Sequence, residues 1–567
     1  QAEHRQNMKK TWDGIRALIN VSKKSSININ KIIHDEKTFT DNKSISQALN
    51  NYFVNVGPSI EQKIPKAKQS FMSYLNDPNP LNFVLDPCDA NEIQDIIASL
   101  GLGKASGPFS IPTNLLKEFS AQFSVPISII INKSLQEGIF PQSLKIALVC
   151  AIFKKNDQTK CANYRPISLL SNISKIFERI MYNRVEQFLI DSDIIYKFQF
   201  GFRKKYSTNH ALLSIVEKIK NNLDNKNFAC GVFVDLQKAF DTVDHKILLA
   251  KLSHCGIKGN ANKWFSSYLS ERAQSVNING FNSTEMKVTC GVPQGSILGP
   301  LLFTLYINDM HNAFTKCLVH HFADDTNLLF AHKDPAVIQK VINKELRQLV
   351  EWLRANRLSL NTDKTEFIIF RPPGKTLNSR ITLQLDQKKI FESTKIKYLG
   401  LLLDSRLSWK FHIKELSKKL SRAVGLLYKI RLYTPKNILR SLYFAIFHSH
   451  LTYGLPVWGF ADQKLIDNII LLQKKALRAI TFADFNAHTY PIMKKLNILS
   501  VSDQRKLMIS SLMWDLDHDT LPPSLSSYFT RCDSIHPYNT RHAMAGKYLV
   551  SKTNTKKYGL NSFQVHG

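Results

Sequence analysis

Two short apolar stretches of this chain run straight into carboxylates: Gly231-Val-Phe-Val-Asp235 and His321-Phe-Ala-Asp-Asp325. Val, Phe and their neighbours are strand formers, and strands of this kind are usually buried. A buried, unpaired carboxylate would sooner take up a proton than stay charged. A fold that gathered Asp235, Asp324 and Asp325 would place three like charges together, which is costly unless a cation sits among them. The economical solution is a pair of divalent metals held by aspartates, the machinery of nucleotidyl transfer. Taken singly, each stretch also reads as an ordinary cap or turn, because Asp ends strands and fills hairpins for local reasons.

The surroundings and their order decide between these readings. The strand ending at Asp235 is followed by Leu-Gln-Lys-Ala-Phe-Asp241, with a new segment starting at Phe240. Gly291-Val-Pro-Gln-Gly-Ser-Ile-Leu-Gly-Pro300 is a loop leading into the apolar run Leu301 to Ile307, and its glycines let backbone approach a ligand closely. Ser296 is expected as a helix N-cap, with Pro300 tolerated in the first turn. Leu318 to Phe330 places two apolar arms around a tight acidic turn, which predicts a β-hairpin. Ile338, Ile342, Leu346, Leu349 and Leu353 share one face of a helix predicted over Pro335 to Ala355. Further helical pieces are expected at Ile45 to Val56 and Asn91 to Leu100.

These segments resemble reverse transcriptases of non-LTR (LINE-type) retrotransposons, particularly the jockey-like branch. The resemblance also takes in Asn163-Tyr-Arg-Pro-Ile-Ser-Leu-Leu170, Gln199-Phe-Gly-Phe-Arg203, Asn361-Thr-Asp-Lys-Thr365 and Lys397-Tyr-Leu-Gly400, all in the family's order, from about Leu100 to Gly459. It implies an α+β, right-hand polymerase fold with fingers, palm and thumb, and an antiparallel palm sheet. Asp235 and Asp324 would be the principal ligands of two Mg2+ ions, with Asp325 in support and Mn2+ as a substitute metal. Magnesium suits such a site because it shares carboxylate and phosphate oxygens and keeps some water. Phe240 would lie beneath the sugar as a gate against a 2′-hydroxyl, although a plain core aromatic is an equal reading of that residue. Gln294 and Gly295 would face the template and nascent base pair. Lys154, Lys155 and Arg165 would grip the triphosphate, Arg165 with the geometric advantage of a bidentate fork. Lys364 would protonate the departing pyrophosphate. RNA template, DNA primer or target, and dNTPs are the implied partners.

The chain departs from the family's pattern at Ala151, where Pro is frequent, at Asn156, where Gly is frequent, and at Gly107-Pro-Phe-Ser-Ile-Pro112, where an Asp-Gly pair is common. All three fall in the fingers; none touches the acids. The charge balance agrees with the resemblance: 76 Lys+Arg against 45 Asp+Glu leave a formal +31, which calls for a polyanionic partner. A membrane surface is the rival polyanion, but no amphipathic anchor, transmembrane run or signal peptide is expected. The eight cysteines show no C-x-x-C spacing, so neither a zinc knuckle nor a disulfide framework is expected, and the setting should be reducing and intracellular, nucleus or cytoplasm. His320 and His321 are adjacent on a strand, point to opposite faces and cannot easily share one metal. Gly101 to Gly107 is a poor phosphate loop, because Ala98 stands where the first glycine belongs.

The expected organisation is a polar linker over 1–100, fingers and palm over 101–404 with a core of about 135–404, a helical thumb over 405–480 and a basic region over 481–567. In the thumb, Ile413, Leu416, Leu420, Val424 and Leu427 form an apolar stripe beside Lys414, Lys418 and Arg422. Such a helix can track a phosphate backbone or simply show water a solvated face. The resemblance implies an endonuclease domain ahead of this region, to be supplied by sequence preceding residue 1, so the chain reads as a fragment. Two other readings stay open: a group II intron-type or RNA-copying polymerase of the same fold, and a catalytically silent nucleic-acid-binding remnant.

Overall fold

The computed structural model describes residues 29–566 except 104, 106, 378–379, 387, 535–546 and 550–551. The C-terminal Tyr538-Asn-Thr-Arg-His542 segment lies outside the described residues. The fold is α+β, and its organising element is a four-stranded antiparallel sheet in the order Glu366–Phe370, Phe228–Val234, Asp325–His332, Leu318–Phe322. The expected hairpin is thus formed by the last two strands. Side chains alternate across a strand, and here both faces find a core. Cys230, Val232, Val234, Phe367 and Ile369 pack into one hydrophobic cluster, while Ala229, Ile368 and Phe370 pack into a second on the opposite face. Burial on both sides is why these strands read as unbroken apolar runs.

The first face is covered by helix Pro335–Ala355, whose bounds and buried stripe match the periodicity. Asp334 caps it by accepting from Ala336 N at 2.8 Å. Glu345 sits on its buried side and escapes isolation by accepting from Thr315 N, Thr315 Oγ1 and the amides of Lys316 and Cys317 at 2.9–3.3 Å. The second face is covered by helix Thr208–Asp224 and the hairpin Lys395–Tyr398/Leu401–Asp404, beyond which lies helix Lys410–Ile430. On that helix Ile413, Leu416, Leu420, Val424 and Leu427 are buried and Lys414, Lys418 and Arg422 are exposed. Helix Gln463–Thr481 packs against it.

A second sheet holds Tyr164–Leu169, Ile146–Phe153, Arg272–Ile278 and Phe281–Asn282, with Met286–Val288 also paired to Arg272–Ile278. A third, smaller core joins this sheet to residues ahead of it: Ile45, Leu49 and Phe53 of helix Asn42–Glu61 pack on Val149, Tyr164, Val276 and Ile278. All eight cysteines are free thiols. No helix among the described residues is long and apolar enough to cross a membrane.

The histidine pair obeys the strand period. His320 Nε2 meets Ser214 Oγ at 3.0 Å, whereas His321 Nδ1 meets Thr326 Oγ1 at 2.9 Å on the other side. Burial pushes both imidazoles down to about 3, and His412, wedged between Trp409 and Trp458, down to about 4. Each folded value lies below the ordinary 6.5, so on acidification the unfolded chain takes up protons first. Stability is therefore expected to be complete above about pH 6.5 and to fall steadily as pH drops toward 4. His412→Phe, which keeps a ring but takes no proton, should make the decline in melting midpoint over that window shallower than in the wild type.

Candidate active site

The antiparallel register brings the acids together. Thr326 pairs with Val234, so one step further Asp325 arrives beside Asp235, and Asp324 occupies the turn above. Ala323 makes that turn with φ 57, a left-handed conformation. The turn rests on Gln199-Phe-Gly-Phe-Arg203. Gln199 Oε1 accepts from Ala323 N at 3.3 Å and from Gly201 N at 2.9 Å, and Phe200 N donates to His321 O at 2.8 Å. A Cβ on Gly201 would stand 2.2 Å from Ala323 N, so only glycine permits this approach.

Asp235 is held from the other side. Asn361 Nδ2 donates to its Oδ2 at 2.7 Å, Lys364 Nζ lies 3.3 Å from the same oxygen, and the Asp235 amide donates to Thr365 Oγ1 at 3.4 Å. The segment Asn361–Thr365 is thus a collar around one carboxylate. Sequence reasoning singled out only Lys364 there; Asn361 and Gln199 were legible as members of motifs but not as supports of particular acids.

Electrostatics make the acids a cation trap. Solvent reaches both Asp324 and Asp325. Desolvation and then the charges of Asp324 and Asp235 push Asp325 up to about 6. Asp324 is raised by desolvation and by Asp235, against the pull of Arg165 and Lys154. Among the described residues no three His, Cys, Asp or Glu side chains are gathered closely enough to hold an ion unaided. Magnesium is commonly held by one or two carboxylates together with substrate phosphates and water rather than by a closed protein cage. The all-oxygen donor set and the mutual repulsion of the acids both suit such an ion.

The acids open onto a cleft of about 920 Å³ whose lining includes Asp235, Asp324, Lys154, Lys155, Arg165, Phe240, Gln294 and Lys364. Lys154 follows strand Ile146–Phe153, and Arg165 lies opposite Ile152 on the next strand, so one hairpin carries both cations. Desolvation, with Arg165 and Lys364 nearby, lowers the Lys154 ammonium. Asn156, where glycine is frequent in the family, takes φ 71, a conformation asparagine tolerates. Phe240 is half-buried, stacked on Phe303 at 4.7 Å and edge-on to Phe202 at 6.2 Å, so it both packs and lines the cleft.

Gln294 is pinned by donating from Nε2 to Asp241 Oδ1 at 2.8 Å, and its carbonyl accepts from Ser168 N at 2.7 Å. Asp241 is half-buried, its carboxyl raised by desolvation, and among the described residues its Oδ2 has no hydrogen-bond partner. Gly295 takes φ 119, and a Cβ there would meet Ser168 O at 2.6 Å; it packs behind the cleft and is not part of its lining. The helix after this loop begins at Leu298, one residue later than a Ser296 cap predicts. Ser296 Oγ still accepts from Gly299 N at 2.9 Å, and Glu178 reaches across to accept from Ile297 N at 2.6 Å.

An acidic β-hairpin beside a strand-end aspartate, faced by cations from a neighbouring hairpin, is the arrangement of a template-directed polymerase. Residues 152–403 match the family Reverse transcriptase (RNA-dependent DNA polymerase). The chain is 30% identical over 449 residues to the RNA-directed DNA polymerase from mobile element jockey of Drosophila melanogaster, covering 76% of this chain and 48% of that one. It is 29% identical to the probable RNA-directed DNA polymerases from transposon BS (77% and 49%) and from transposon X-element (76% and 48%) of the same organism. The chain spans about half the length of the curated relatives it matches.

Proposed function

We propose that this chain extends a primer 3′-hydroxyl with dNTPs on an RNA template, as the DNA-synthesising part of a non-LTR retrotransposon protein. The observation that carries the reading is the cleft that Asp235 and Asp324 line together with Lys154 and Arg165, with Asp325 next to Asp324 in the acidic turn and Lys364 paired to Asp235. On this reading the four-stranded sheet is the palm, the Lys154–Arg165 hairpin belongs to the fingers, and Lys410–Ile430 with Gln463–Thr481 forms the thumb. Its exposed Lys414, Lys418 and Arg422 follow a phosphate backbone. A reducing, intracellular site of action accompanies the proposal, supported by eight free thiols.

Asp235 and Asp324, with Asp325 behind them, would hold Mg2+ or Mn2+, which when bound acidifies the primer hydroxyl and neutralises charge at the α-phosphate. The remaining roles fall to the chain itself. Arg165 and Lys154 bind triphosphate oxygens by charge-assisted hydrogen bonds. Phe240, braced by Phe303, supplies a flat apolar floor for the sugar. Gln294, held by Asp241, presents a fixed edge toward the nascent base pair. Lys364 carries a proton beside Asp235, within the cleft, and delivers it to pyrophosphate as it leaves.

Primer extension on an RNA template with magnesium and dNTPs tests the proposal, beside an Asp324→Asn/Asp325→Asn double variant. Extension by the wild type alone supports it. No extension by folded protein that still binds RNA favours the silent remnant, and a preference for ribonucleotides favours an RNA-copying polymerase. Phe240→Ala should raise the rNTP-to-dNTP ratio of kcat/KM by about one to two orders of magnitude. An unchanged ratio would leave Phe240 as a packing residue only.

A further inference from the structure

One wall of the cleft comes from residues ahead of the matched reverse transcriptase segment. Helix Asn42–Glu61 turns Asn51, Tyr52, Asn55 and Ser59 toward the cleft, and Lys63 follows just past its end. Its opposite face, with Ile45, Leu49 and Phe53, is sealed against the five-stranded sheet. The close approach is set at Gly57, where a Cβ would lie 2.3 Å from the Asp241 carbonyl oxygen and 2.5 Å from Cys290 Sγ. The helix is therefore clamped on the turn between Asp235 and Asp241, the turn that carries Phe240.

That turn also carries Lys238. Its backbone takes φ 46, a left-handed conformation that a lysine adopts only at a cost. The side chain is half-buried, lines the cleft, and places its ammonium 5.5 Å from the centre of the Tyr52 ring. Among the described residues it makes no ion pair; the charges around it are one half-buried acid, Asp241, and two further cations, Arg165 and Lys364. Lys154 stands near the same two cations. A strained, partly desolvated ammonium among like charges is costly in the free protein and becomes favourable when a dense anion arrives. Tyr52 fixes where that ammonium points.

We propose that Lys238, held in place by Tyr52, is a further phosphate-binding residue for the incoming nucleoside triphosphate, so that the helix preceding the reverse transcriptase domain helps set nucleotide affinity. The inference rests on the polymerase reading and adds a contact to it. Tyr52 acts through Lys238 and is a positioning residue; Lys238 is the group that meets substrate.

The test uses the full chain with four variants, Lys238→Met, Lys238→Arg, Tyr52→Leu and Tyr52→Phe, followed by steady-state extension at varied dATP and by calorimetry of Mg·dATP binding. Lys238→Met is expected to raise the KM for dATP by about tenfold to a hundredfold, with the Kd for primer–template unchanged. Lys238→Arg, which keeps the charge, should recover most of the loss. Tyr52→Leu should raise KM while Tyr52→Phe, which keeps the ring, stays near wild type. A purely structural role would instead lower the melting midpoint without separating KM from kcat. An unchanged KM in Lys238→Met, or a parallel loss of primer–template binding, overturns the inference. A wild type that extends no primer sinks the polymerase reading by itself; calorimetry then still decides the contact, and equal Mg·dATP affinity of wild type and Lys238→Met removes it.

Discussion

Asp324→Asn is expected to lower kcat for primer extension by about a thousandfold or more, with RNA affinity held within a small factor. The magnitude follows from losing several kcal/mol of charge stabilisation at the reacting phosphate, each ~1.4 kcal/mol being a factor of ten. The same substitution should leave the fold as stable as before or more so. Asp324 stands among like charges, and removing one relieves a repulsion that also pushes Asp325 up to about 6. Loss of activity together with a steady or raised melting midpoint is the signature of a site built for a cation. A fall in both would mean that Asp324 supports the hairpin, and a retained kcat would place the chemistry elsewhere.

Lys251→Met should destabilise the protein by about 3–5 kcal/mol, read as a lower denaturation midpoint. Lys251 and Asp309 form a buried pair beside Trp352 of helix Pro335–Ala355. Lys251 also donates to the Tyr306 carbonyl at 2.6 Å, and Asp309 accepts from Trp352 Nε1 at 3.2 Å. Burial lowers the ammonium and the carboxylate beside it restores part of the loss. Methionine leaves Asp309 sheltered from water without its partner ammonium, and among the described residues the Trp352 indole is the side-chain donor that remains. The double variant Lys251→Met/Asp309→Leu removes both charges and should recover much of the loss, because the penalty belongs to the orphaned charge. A double variant no better than the single one would show that packing around Tyr306 and Trp352 matters more than the charge.

Much of the site was legible in the order of residues. The hairpin at Asp324, the loop at Gly291–Pro300 and helix Pro335–Ala355 are local objects, marked by turn residues and by periods of two or 3.6. The family resemblance then assigned roles to Asp235, Lys154, Arg165, Phe240, Gln294 and Lys364, and these side chains do line one cleft. Gly295 could be recognised as a required glycine, but not as one that packs on Ser168 behind the cleft.

What the chain alone determined is therefore the set of elements and which side of each is apolar, because those depend on neighbours within a few residues. Tertiary structure decided who meets whom. Gln199 carries the acidic turn across 124 residues, Asn361 braces Asp235 across 126, and Asn42–Glu61 becomes a cleft wall because Gly57 lets it close on Asp241. Periodicity can announce that a helix has a polar face; it cannot say which cleft that face completes. That depends on the packing of distant surfaces, and here it turns a segment that reads as a polar linker into a wall of the cleft that holds the acids.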